Sequence, residues 1–187
     1  NAALPTAGSQ GYAKAVYDLK YHYGRVRVTG VAMAKTASSA GAFLKALEGE
    51  LDGVRNDLKM DIARQVYADG SAKIVTCGTT SSSTTVVIAS AEPILKGELY
   101  IGMTIDIGTA ASPTTIASAV SITDVNTATP SITISGSTVT TSSSHFVFRS
   151  GNAVDATHIN ELTGLQALVS TAANTVGGID ASAAGNS

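Results

Sequence analysis

Seven apolar side chains in the first half of this sequence, Leu44, Leu47, Leu51, Val54, Leu58, Ile62 and Val66, follow one another at intervals of 3, 4, 3, 4, 4 and 4 residues. Such intervals put all seven on one side of a helix, where 3.6 residues complete a turn. The spacing predicts a helix over 39–68, with Ser38 or Ser39 as N-cap and Asp69-Gly70 as the stop. At 1.5 Å per residue it would be about 40 Å long. The stripe has to find cover, from this chain or from another molecule. Gly49 and Gly53 lie four apart inside the helix, each costing about 1 kcal/mol relative to alanine. Either another backbone crosses closely there, or the helix simply tolerates them.

Downstream the pattern changes. Between 71 and 150 short β-branched runs recur: KIVT (73–76), TTVVIAS (84–90), ELYIGMTIDIG (98–108), TIASAVSITDVN (115–126), SITISGSTVT (131–140) and HFVFRS (145–150). GTTSSS, EPILKG, TAASP and NTATP read as the turns between them. Several short strands so spaced predict a small β-barrel or sandwich. In ELYIGMTIDIG, Leu99, Ile101, Met103, Ile105 and Ile107 alternate with Tyr100, Gly102, Thr104, Asp106 and Gly108, predicting one buried and one wet face. From 151 the spacing turns helical again: Asp155 or Thr157 caps ATHINELTGLQALVSTA, with Ile159, Leu162, Leu165, Leu168 and Val169 on one side. The terminal NTVGGIDASAAGNS reads as loop. The predicted class is α+β.

Ahead of the helix, NAALPTAGSQG has turn chemistry, and YAKAVYDLKYHYGRVRVTG is rich in tyrosine and valine, which predicts a loop tip followed by a long strand. Within it Tyr21, Tyr23, Arg25 and Arg27 would share one face, and Lys20, His22, Gly24, Val26 and Val28 the other. A strand that long is not stable alone, so it is expected to be an arm lying on something else. Residues 1–35 hold five bases and one acid; residues 36–70 hold four bases and six acids. The arm and the helix are thus opposite in sign. Aromatics interleaved with cations also suit single-stranded nucleic acid, but the basic surplus is small and the whole chain carries a net charge of −2. Protein contact is the favoured reading, with Tyr21, Tyr23, Arg25 and Arg27 meeting Glu48, Asp52 and Asp61 on the helix of a neighbouring copy.

Chemistry-bearing patterns are sparse. His22, His145 and His158 stand apart and lack the spacing of a helical zinc pair, so surface or packing roles are expected. The single cysteine, Cys77, cannot form an internal disulfide and reads as a small buried residue. Asp57 and Asp61 share a helix face at i, i+4, which could hold a hard cation, but two carboxylates more simply form a solvated face. GSAK and GELYIG lack the lysine and hydroxyl placement of a phosphate-binding loop. No enzymatic activity, cofactor or metal is predicted. No run of about 20 apolar residues predicts a membrane-spanning helix. Charged residues make up only 14% of the chain, below the usual ~25%. That suits β-rich modules and assembled particles better than a fully solvated monomer.

The series LPTAGSQGYAKAVYDLKYHYGRVRVTG followed by AMAKTASSAGAFLKALEGELDGVRNDLKMDIARQVYADG resembles the major capsid proteins of tailed bacteriophages with the Hong Kong 97 fold, those of actinobacterial phages above all. INELTGLQALVSTAANTVGGIDAS is similar to them as well. The resemblance implies an extended loop at 1–35, the spine helix of a peripheral domain at 36–70, an inserted β-domain at 71–150, and at 151–187 a return to the peripheral domain and the start of an axial domain. The N-terminal arm and most of the axial domain of that fold have no counterpart, so the chain is expected to be a fragment of a longer subunit. No lysine and asparagine match the crosslinking residues of some relatives, and no crosslink is predicted. The implied function is a structural coat protein that self-assembles into the icosahedral shell around phage DNA, located in the virion after assembly in the host cytoplasm. Its partners would be other copies of itself, with decoration or scaffold proteins as further candidates, and neither sequence-specific nucleic acid nor membrane. The alternative is a β-rich decoration or adhesin-type module that recognises glycans through 71–150, where Tyr100, Phe146 and Phe148 are the only aromatics.

Overall fold

The computed structural model describes residues 14–17, 19–26, 30, 40–155, 159–169 and 175–180. The apolar stripe forms the helix it predicts, α1 (Ala40–Tyr67), which stops just short of Asp69-Gly70. Ser38 and Ser39, the expected caps, lie outside the described residues. Gly70 takes φ +78, the left-handed conformation that lets the chain leave the helix. At Gly49 and Gly53 a Cβ would meet nothing within 4 Å, so no described backbone crosses there. The mixture of helix and sheet is α+β, as predicted.

The β-branched runs form a closed barrel. Its strands are β1 (Lys73–Thr76), β2 (Thr80–Ser83), β3 (Thr85–Val87), β4 (Thr104–Gly108), β5 (Ala117–Asn126), β6 (Ser131–Ile134), β7 (Val139–Thr141) and β8 (Phe146–Arg149). Six of them make an antiparallel sheet in the order β1-β8-β4-β5-β6-β3. The two edges then meet: Cys77 bridges Ile88, Gly78 N–H donates to Val87 O at 2.7 Å, and Ala89 N–H donates to Thr76 O at 2.9 Å. Closure removes the sheet edges that would otherwise attract a foreign strand. Val86, Ile105, Ile107, Ile122, Ile132 and Val147 fill the interior almost without exposure. β2 and β7 form a separate ladder at the side.

Several expectations are corrected. GTTSSS was expected to be a turn, but Thr80–Ser83 is β2, because Thr80 is buried and its Oγ1 accepts from Val87 N–H at 3.0 Å. EPILKG contains a short helix, α2 (Glu92–Leu95), opened by Pro93 in its first turn. The alternating run 98–108 is a strand only from Thr104. Gly102 turns at φ +91 and leaves Ile101 exposed. Asp106, expected on the wet face, is buried: it accepts Ala119 N–H at 2.6 Å and Gly151 N–H at 3.2 Å. Ala119 sits at φ +52 in the bulge where β4 and β5 shift register, so the carboxylate fixes a strained backbone.

The second predicted helix shrinks to α3 (Leu165–Val169). Thr157 and His158 lie outside the described residues. Ile159 instead bridges Ala153, and the chain runs extended over the C-terminal end of α1. Gly164 is buried there, and any side chain on it would collide with the carbonyl oxygens of Gln65, Val66 and Ala68. The expected terminal loop contains a hairpin, β9 (Thr175–Val176) and β10 (Ile179–Asp180), turned by Gly177 and Gly178, both at positive φ. Of the long strand expected after the loop tip, the described residues, 14–17 and 19–26, join no ladder. His22 and Gly24 lie against the chain's own α1 instead, and Val16 N–H donates to Gly177 O at 2.8 Å.

Candidate assembly surface

The arm keeps the two-faced alternation of a strand without a strand partner. From 20 to 24 its even positions face inward. Lys20 Nζ donates to Ile159 O at 2.7 Å, His22 reaches the buried Gln65, and Gly24 lies over Val54 and Leu58 of α1. A Cβ at Gly24 would come within 2.5 Å of Val54 Cγ1 and 2.8 Å of Leu58 Cδ1, so only glycine permits this approach. Its odd positions face outward. Tyr21 and Tyr23 are 69% and 84% exposed and stacked with ring centroids 6.4 Å apart, and Arg25 is exposed beside them. Arg27 lies outside the described residues. Among the acids proposed to meet this face, Glu48 and Asp52 are exposed on α1. Asp61 is not available: its side chain is 10% exposed and held by Arg64 at 3.1 Å, Arg149 at 3.5 Å and Gln65 Nε2 at 2.9 Å. The structure therefore places Tyr21, Tyr23 and Arg25 together, Glu48 and Asp52 apart from them on the helix, and Asp61 inside.

Asp61 belongs to a polar junction that the sequence did not announce. Gln65 is the only α1 residue with a described side chain that is buried. Leu162 N–H donates to its Oε1 at 3.1 Å, and its Nε2 donates to Asp61. These two bonds orient the amide, so His22 Nε2–H is the donor in the 2.7 Å contact with Oε1. One side chain thereby ties together the arm, the helix and the 159–164 segment. Beside it Glu161, with its side chain wholly buried, accepts from Arg64 Nη2 and from Asn152 Nδ2 at 2.7 Å. Burial alone would lower the pKa of the Arg64 guanidinium. The hydrogen bond and charge of Glu161, then those of Asp61, outweigh burial and leave it raised. Asn152 reaches the junction from the turn that Asp106 secures through Gly151, and Arg149 from the end of β8. The spacing of Asp61 and Arg64 at i, i+3 was the visible hint; nothing in INELTG marked Glu161 as buried. With two guanidiniums against Asp61, the pair Asp57 and Asp61 forms neither a hard-cation site nor a solvated face.

The apolar stripe of α1 is largely uncovered. Leu44 and Leu51 are 55% and 51% exposed, and Met60, Ile62, Val66 and Tyr67 are exposed as well. Among the described residues of the arm, Gly24 rests on Val54 and Leu58, which are half-buried. The barrel aromatics are placed elsewhere: Phe148 is buried, Phe146 lies under Lys73 Nζ at 4.6 Å, and Tyr100 faces α1.

The remaining candidates for chemistry are structural. His145 Nδ1 accepts Ser142 N–H at 3.0 Å and closes a turn. Cys77 lies in the barrel interior, where burial pushes its thiol up to about 12. A folded-state value above the unfolded one favours the folded protein below the unfolded thiol's range. That contribution is lost as pH rises from about 9 towards about 12. Cys77 is therefore expected to resist a chromogenic disulfide reagent at pH ~8 and to react only once the barrel is unfolded. Immediate stoichiometric labelling of the folded protein would contradict this placement. Among the described residues no group of three or more histidine, cysteine, aspartate and glutamate side chains is arranged to hold a metal ion, and no helix is long and apolar enough to cross a membrane. Comparison with protein-family models, curated proteins and solved structures finds no match.

Proposed function

We propose that this chain is a shell-forming structural subunit, a capsid protein of the tailed-bacteriophage type, whose activity is self-assembly. The observation that carries the reading is the uncovered stripe of α1. A 28-residue helix whose described apolar side chains all remain partly or largely exposed gains little from burial within its own chain. In soluble domains most helix stability comes from such burial. Contact with further copies supplies what the single chain lacks. The outward face of Tyr21, Tyr23 and Arg25 offers a second contact of the composition found at protein interfaces. Symmetric repetition of modest contacts then gives a closed particle. The sequence resemblance to Hong Kong 97-type coat proteins supports the same reading, with the virion as location and other copies as partners.

Electron microscopy of the expressed full-length protein tests it: uniform closed shells are expected, and dispersed monomers would count decisively against it. In the double variant Arg25→Glu, Arg27→Glu the subunit should keep its circular dichroism and lose most of its shells. Normal shells from that variant would remove the arm from the contact.

A further inference from the structure

A cleft of about 440 Å³ opens between the C-terminal half of α1 and the barrel. Met60, Tyr67 and Tyr100 give it an apolar and aromatic lining. The lining also includes Asp57 from α1 and Glu98 from the barrel side, neither in an ion pair within 4 Å among the described residues. The cations around the cleft are already engaged. Arg64 lies on Asp61 and Glu161, Arg149 on Asp61, and Lys96 at the rim on Glu92 at 3.0 Å. With those pairs set aside, the cleft keeps two negative charges. Burial first, and then the charge of Asp57, raise the Tyr100 phenol. The Glu98 carboxyl is raised by desolvation more than Arg64 and Lys96 lower it, the condition of a carboxylate short of a counter-ion.

We propose that this cleft binds an organic cation, a primary ammonium or guanidinium on an alkyl stem. The head fits between the carboxylates of Asp57 and Glu98, where charge-assisted hydrogen bonds are strongest. The stem fits along Met60, and the rings of Tyr67 and Tyr100 give a cation a favourable face. A hard metal ion is poorly served, since it would want several more oxygens than two carboxylates provide. A free diamine and a lysine side chain of another protein share this chemistry.

Titration of the unassembled chain separates these sources and does not depend on shell formation. The amide signal of Gly97 is the reporter, because Gly97 lines the cleft and a Cβ there would lie 2.7 Å from Met60 Cε. Putrescine and Nα-acetyl-lysinamide are each added at constant ionic strength, with sodium chloride as control. A saturable shift with either cation is expected. Tighter binding of putrescine assigns the site to free diamines, and tighter binding of the lysinamide assigns it to a protein side chain. Asp57→Asn and Glu98→Gln should each weaken binding by about tenfold. Lys96→Gln, at a solvent-exposed rim position, should tighten it without disturbing the fold. A linear response equal to that of sodium chloride would overturn the proposal. So would unchanged affinity in both carboxylate variants, or no tightening in Lys96→Gln.

Discussion

Replacing Glu161 with alanine is expected to destabilise the protein by about 3–5 kcal/mol, the usual cost of removing one partner from a buried ion pair. The cost falls on what is left behind. Arg64 has only 8% of its side chain exposed. It would have to share Asp61 with Arg149, and Asn152 Nδ2 would lose its acceptor. Glu161→Gln keeps acceptors for both donors but removes the charge, so a smaller loss is expected. Urea denaturation measures the size of the effect. Hydrogen exchange locates it, since the Leu162 amide bonded to Gln65 Oε1 should lose protection before the barrel amides do. A loss below about 1 kcal/mol for Glu161→Ala would mean that the pair contributes no more than an exposed one.

The barrel was legible in the sequence wherever its strands owe their structure to β-branched side chains. KIVT matches β1 residue for residue, and HFVFRS contains β8. Such side chains carry their own preference for an extended, half-buried backbone. β2 was hidden because Thr80–Ser83 has the composition of a loop, and only its pairing with β7 makes it a strand. The helix α1 was legible for a different reason, since its periodicity records the face to be covered. It does not record what does the covering. The arm's alternation was read correctly as two faces, yet the inward face meets this chain's own helix through Gly24 and His22. The junction was invisible because Gln65, Asn152 and Glu161 look like surface residues one at a time. Gln65 and Glu161 are buried where 159–164 crosses the end of α1, an approach that Gly164 permits by fitting against it. The reading of the same stretch as a helix put Ile159, Leu162, Leu165, Leu168 and Val169 on one side and did not single out Glu161.

The largest effect on assembly is expected from the double variant Leu44→Gln, Leu51→Gln. Both side chains are about half exposed in the single chain, and glutamine has nearly the helix propensity of leucine. The isolated chain should therefore keep its helix, with stability changed by no more than about 0.5 kcal/mol, as for other surface substitutions. A contact between copies would feel the change differently. Full burial of a leucine side chain stabilises by about 1.5–3 kcal/mol, so covering the exposed half of each is worth roughly 1 kcal/mol. Two such losses weaken each contact by about thirtyfold. In a closed shell every copy makes the contact, so modest losses compound and assembly should fail outright. Val54 and Leu58 provide the contrast. The arm's Gly24 already rests on them, so polar substitutions there should disturb the single chain as well as the shell. Sedimentation of the purified variants, read beside their circular dichroism, separates the two. Wild-type yields of shells from Leu44→Gln, Leu51→Gln would show that the open half of the stripe is not where copies meet, and would return the question to the stacked tyrosines of the arm.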